Sequence, residues 1–301
     1  MENNIIFRQG LKEFTTKEIG HIQEVARFFP KLSRHELANT LCEHLDWYSP
    51  SGASKVKGCL TLLERLADQN LLVLPDKSSC GRLTPDKPPS LTQRTLEKPL
   101  IKGSLKEFAP IELQILHNKE PIQLWNEYVQ RYHPLKFRRP FGHWLRYFLI
   151  ADHEPLGCLL ISGAAKALHQ RDHWIGWSVV QRRRNLSWVI NNSRYLIFPW
   201  VQIPHLASHV LAQLTRRVAS DWENRWGYRP VLMETFVDPE HYSGTCYKAA
   251  GWLNVGITTG KGISRPGKAY KTTPKNIFVK PLTRQFRPLL CSQQLQGRII
   301  E

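Results

Sequence analysis

The chain is short of acid, of paired cysteines and of long apolar runs. Its 25 Asp and Glu stand against 42 Lys and Arg, a formal charge of +17 over 301 residues. A deficit of that size points to a polyanionic partner, with nucleic acid first in line. No apolar run approaches the ~18–20 residues that a membrane span needs, and residues 1–10 hold no secretory apolar stretch. Cys42, Cys59, Cys80, Cys158, Cys246 and Cys291 stand singly with no C-x-x-C pair. That spacing excludes a zinc ribbon or a disulfide framework and leads us to expect reduced thiols in a cytoplasmic protein without a membrane partner. Internal repeats are absent too. What is present suffices for a packed core: 42% hydrophobic residues, among them 10 Trp, in a length that suits two domains of roughly 100–200 residues.

The charge is uneven. Residues 1–78 hold 10 basic and 10 acidic side chains, whereas residues 260–301 hold 9 and 1. The first segment reads as helices over 16–29, 33–45 and 55–69 and a strand over 71–74, with Ser33 and Glu36 at capping-box spacing. Helix, helix, turn, helix, strand predicts a small winged helix-turn-helix domain over 1–78. Its third helix would lead into the major groove with Lys55 and Lys57. Residues 79–108, broken by Pro85, Pro88, Pro89 and Pro99, read as a tether.

From residue 109 to 301 helices and strands interleave, which predicts an α/β domain around a mixed sheet with a basic tail. Strands are expected over 144–150 and 156–162, joined by a hairpin at Asp152-His153-Glu154-Pro155, then over 194–198, 230–237, 252–258 and 277–281. Helices are expected over 121–132, 178–191, 204–225 and 244–250. Trp174 and Trp177 read as part of a β-like run.

That order is similar to the GNAT-type acyltransferase fold. Thr245-Cys246-Tyr247-Lys248-Ala249-Ala250-Gly251-Trp252 looks like the fold's late Tyr-x-x-x-Gly-aromatic signature. The resemblance implies Tyr247 as a general acid for a leaving thiolate, with coenzyme A or a charged tRNA as donor. The glycine-rich turn expected before the long helix is replaced by Gln202-Ile203-Pro204-His205-Leu206-Ala207-Ser208.

A narrower resemblance covers nearly the whole chain. Arg171-Asp172-His173-Trp174-Ile175-Gly176-Trp177, Asn191-Asn192-Ser193-Arg194-Tyr195-Leu196-Ile197 and Glu234-Thr235-Phe236-Val237-Asp238-Pro239 resemble the DruA family of the Druantia anti-phage system. Gly244-Thr245-Cys246-Tyr247, Gly256-x-Thr258-x-Gly260 and Ile277-Phe278-Val279 extend the match. Gly251 departs from it, since the family more often has Asn before the Trp. The resemblance implies a defence protein, with a role in mobile elements as the neighbouring reading; joined to the basic charge it leads us to expect a DNA-engaging recognition subunit with companion proteins. The alternative is an enzyme, either a metal-dependent nuclease of the transposition kind or an acyltransferase.

Candidate residues follow. Glu234 and Asp238, four apart on a strand, share a face; with Asp172 they would hold Mg²⁺ in a nuclease, unless Glu234 is neutralised by an arginine. Tyr247 is either a proton donor or a core tyrosine. Arg171, Arg182, Arg183, Arg184 and Arg194 interleave with Trp174, Trp177 and Trp188, a pattern that suits phosphates and unpaired bases. Lys261, Arg265, Lys268 and Lys271 in the tail suit a nucleic-acid backbone. His169 with His173 and His205 with His209 have zinc-like spacing but no third ligand, so no metal is expected there.

Overall fold

The computed structural model describes residues 5–30, 32–50, 53–75, 88–140, 142–260 and 273–292. They separate into two compact units near residue 83, with 224–228 counted in the first.

The first unit opens with a hairpin the sequence reading missed, β1 (Ile5–Gln9) and β2 (Lys12–Thr15). Gly10 makes the turn in the left-handed region at φ 60°. Helices α1 (Thr16–Phe28), α2 (Arg34–His44) and α3 (Val56–Asp68) follow. Thr15 and Ser33 each close a full capping box, with Glu18 and Glu36. Ser33→Ala is expected to cost about 1 kcal/mol, read as a lower midpoint in urea. Phe14, Ile22, Val25, Leu37, Leu41, Leu62 and Leu66 form the core of this unit. The strand expected over 71–74 is not formed. The Leu71 carbonyl accepts from Gln23 Nε2 and the Pro75 carbonyl from Arg34 Nε, so side chains of α1 and α2 take bonds a sheet partner would need. A hairpin before the three helices, with no strand after α3 among the described residues of this unit, is not the winged order.

The second unit begins with a strap. Residues 76–87 lie outside the described residues, but 88–108 are no tether. A 3-10 turn at Gln93–Thr95 sits on the next helix, with the Thr92 N–H and hydroxyl donating to Glu127 and Arg131 donating to Thr95 and Thr92. Strand β3 (Ile101–Lys102) then pairs with a later strand. The prolines mislead here because the strap is fixed by hydrogen bonds to its neighbours and not by periodic packing of its own.

Then come β4 (Glu112–Ile115), α4 (Lys119–Tyr132), β5 (Trp144–Ala151) and β6 (Glu154–Gly163). Asp152 and His153 both have positive φ, the geometry of a two-residue primed turn. Helices α5 (His169–Ile175) and α6 (Val179–Asn185) precede β7 (Val189–Ile197) and β8 (Val201–Gln202). Two expectations change at this point. Trp174 lies in α5 and Trp177 just beyond it, neither in a strand, and the helix expected to reach 191 gives way to strand from Val189. The long α7 (Leu206–Trp226), β9 (Leu232–Val237), α8 (Thr245–Ala249), β10 (Leu253–Ile257), β11 (Asn276–Pro281) and α9 (Phe286–Leu290) complete the unit.

The result is a mixed α/β unit. Seven strands form one sheet in the order β10-β11-β9-β7-β6-β5-β4. All neighbours are antiparallel except β7 and β9, which pair in parallel only through Val189, Ile190 and Asn191. Successive strand residues point to opposite faces. Phe148 therefore meets Tyr128 of α4 on one face, while Tyr147 donates its hydroxyl to Asp221 of α7 on the other. Trp125, Tyr128, Phe198 and Trp200 fill the α4 side, and Leu211, Leu214, Val218 and Trp222 belong to the α7 side.

Residue 251 follows α8 at φ 71°, a region glycine enters freely and asparagine better than other side-chain-bearing residues. The exchange of Asn for Gly there is conformationally conservative. No helix among the described residues is long and apolar enough to cross a membrane.

Candidate functional site

Glu234 lies on β9 with no solvent exposure. Its carboxylate accepts from Arg171 Nη1 at 2.7 Å and from the Ala165 N–H at 2.7 Å. Arg171, equally buried, turns its other edge to Asp172, and Arg182 Nη1 reaches that same carboxylate at 3.2 Å. A guanidinium thus stands between two of the carboxylates expected to share Mg²⁺. Burial raises the Glu234 carboxyl, opposed by Arg171; burial works to lower the Arg171 pKa, but the two acids overcome it and hold the guanidinium charged. Asp238 is engaged elsewhere, accepting from Lys275 and Thr273, whose bonds lower its pKa. The three-carboxylate metal reading is therefore overturned, and Arg171 is a buried structural cation and not a phosphate contact. Asp238 does approach Glu240 and His241 within 4.8 Å, a surface group in which Asp238 already has its cation. His169 and His173 stack at 6.2 Å on α5.

Tyr247 is buried on α8 between Phe278 and Trp252. Its hydroxyl accepts from Asn192 Nδ2 at 3.1 Å, and burial pushes its pKa up. This is a core tyrosine with a polar partner. Tyr247→Phe strips the Asn192 amide, itself only 3% exposed, of a bond where its Oδ1 already has none. The expected cost is about 1–3 kcal/mol in urea unfolding.

A cleft of about 1130 Å³ lies at the start of α7. Its walls include Lys102, Lys106, His205, Ser208, Thr245 and Cys246, but not Tyr247. His205 takes the left-handed conformation at φ 64°, so the turn is made without glycine. The first-turn amides of Ala207 and Ser208 have no carbonyl four residues back within the helix.

The remaining cations divide in two. Arg217 pairs with Asp221 and Arg229 with Glu223. Arg183 and Arg184 are half-buried on α6 and make contacts of their own. Lys55 and Lys57 are exposed at the head of α3. Lys261, Arg265, Lys268 and Lys271 lie outside the described residues.

A second group has no acid. Arg146 on β5 and Arg194 on β7 both register with Leu160 of the strand between them, which puts them on one face of the sheet. Across two strands their backbones are about 10 Å apart. Arg194 Nε donates to the Lys136 carbonyl and Nη1 to that of Ser193. The loop that supplies Lys136 also carries Arg138 and Arg139, both exposed, and Arg139 lies 5.7 Å from the Trp144 ring. Arg146 lies 5.6 Å from that same ring. Among the described residues no carboxylate pairs with Arg138, Arg146 or Arg194. Of these three, the sequence reading singled out Arg194 alone. The available signal was the alternation Trp144, Arg146, Phe148, which sets a cation between two aromatics on one buried face.

With this geometry in hand, the chain can be set beside known proteins. The family described as Druantia protein DruA matches residues 75–266. The chain belongs to the DruA family. No curated protein matches it. Among solved structures it is similar to an aminoglycoside acetyltransferase, AAC(6′)-Ib, in complex with coenzyme A and kanamycin, at 16% identity and TM-score 0.37 over 58% of this chain and 96% of that one. A Bacillus subtilis acetyltransferase in complex with CoA gives 8% identity and TM-score 0.34 over 57% and 99%. FeeM, an N-acyl amino acid synthase from uncultured soil microbes, gives 13% and 0.33 over 64% and 98%.

Proposed function

We propose that this DruA-family chain is a nucleic-acid-engaging component of an anti-phage defence system, acting as a recognition subunit beside companion proteins. One observation carries the reading: Arg146 and Arg194 share one face of the sheet without a carboxylate, with the exposed Arg138 and Arg139 on the neighbouring loop, while the acids expected to catalyse are consumed in internal pairs. Cations that fold against acids need no partner; cations left over on one face attract a polyanion. Lys55 and Lys57 in a first domain ending near residue 78 would add contacts to DNA. The brief parallel pairing of β7 with β9 and the order of elements support a GNAT-type second domain from residue 109.

Fluorescence anisotropy with duplex and single-stranded DNA tests this. Binding is expected at low salt and should weaken linearly in log K against log salt, by about 0.9 per phosphate contact on duplex. Absence of binding at low salt overturns the proposal.

The cleft at the head of α7 favours a second reading, acyl transfer. Lys102 and Lys106 would meet the phosphates of an acyl-coenzyme A donor, which supplies a thioester when bound. Calorimetric binding of coenzyme A, lost in the double variant Lys102→Glu/Lys106→Glu, would support it.

A further inference from the structure

Arg146 is an anomaly in a protein that pairs its buried cations. Arg171 has Glu234 and Asp172, and Arg182 has Asp172. Arg146 is only 8% exposed, its Nε is buried without a hydrogen-bond partner, and no described acid reaches it. Its guanidinium is instead boxed by aromatic rings, with Trp125 at 5.4 Å, Trp144 at 5.6 Å and Phe137 at 5.9 Å. Ring faces attract a cation but do not replace a counter-ion, and a desolvated charge without one is costly. The neighbours add to the cost. Burial and then Arg139 push the Arg146 pKa down to about 10, and burial and then Arg138 lower that of Arg194. Such an arrangement becomes favourable when an anion arrives from outside.

We infer that Arg146, flanked by Arg139 and Arg194, receives the terminal phosphate of a nucleic-acid strand. This rests on the nucleic-acid reading and narrows it. A phosphodiester within a continuous strand carries a sugar on both sides, and it cannot follow a guanidinium this far into the fold. A terminal phosphomonoester carries one substituent, three acceptor oxygens and about −1.5 to −2 charges at neutral pH, so it can enter end-on and take the Arg146 fork in two bonds. Trp144, half-buried beside it, offers a ring for the last base to stack on.

The test compares one single-stranded oligonucleotide bearing a 5′-phosphate, a 3′-phosphate or only hydroxyl ends, with a nucleoside monophosphate as competitor, all against the full chain. One of the phosphorylated strands is expected to bind roughly tenfold tighter or more than the hydroxyl strand, the range of one to two hydrogen bonds between charged groups. That ratio should collapse toward one in Arg146→Gln. If that variant does not fold, Arg139→Gln on the surface should still shrink the ratio several-fold while leaving the melting temperature unchanged. Equal affinity for phosphorylated and hydroxyl strands overturns this inference and leaves nucleic-acid engagement standing. Failure of every strand to bind overturns the broader reading instead. A monophosphate that binds as tightly as the phosphorylated strand overturns the strand as ligand.

Discussion

Arg171→Met is expected to lower stability by about 3–5 kcal/mol, the cost of removing one partner from a buried ion pair. The substitution leaves the Glu234 carboxylate in a fully buried site, where among the described residues the Ala165 N–H still donates to it. It also deprives Asp172 of two of the bonds that hold it. The double variant Arg171→Met/Glu234→Gln is expected to recover part of that loss, because the uncompensated charge is gone. Urea unfolding of the wild type, both single variants and the double variant gives the coupling directly. Additive losses would mean that the pair does not act as a unit.

Arg138→Gln/Arg139→Gln is the second large effect. Both side chains are exposed, so the melting temperature should hold within the small range typical of surface changes. DNA affinity should fall about 10- to 100-fold at moderate salt, and the slope of log K against log salt should shrink by nearly two contacts. Lys55→Gln/Lys57→Gln gives the comparison for the first unit. A loss confined to that variant would move the interface to α3 and away from the sheet.

The sequence marked the helices of the first unit because Thr15, Ser33, Glu18 and Glu36 report their own geometry locally. The strands of the second unit were legible where alternation was clean, as along β5 and β6. The hairpin at Gly10 was missed, although Phe7 and Phe14 face each other across it. Its strands are too short for periodicity to register, and the glycine was the signal. At 71–74 an apolar run passed for a strand because nothing local reveals that Gln23 and Arg34 will claim its carbonyls. The ligand-facing chemistry was least legible. Arg171 sits in a motif rich in aromatics and looks like a surface cation until α5 buries it against a strand 63 residues onward. Arg146 and Arg194 are brought to one face only by the register of β5, β6 and β7, a long-range fact that spacing along the chain does not encode. The neutral charge count of residues 1–78 did point to the second unit as the place where cations outnumber acids.

Amide hydrogen exchange of the full chain with and without a saturating DNA strand bears most directly on where the partner lies. Slowed exchange is expected along the loop after α4, from Lys136 to Arg139, and at the stretches of β5 and β7 that carry Arg146 and Arg194. Protection confined to the head of α3 or to the cleft at the start of α7, with the arginine face unchanged, would contradict it.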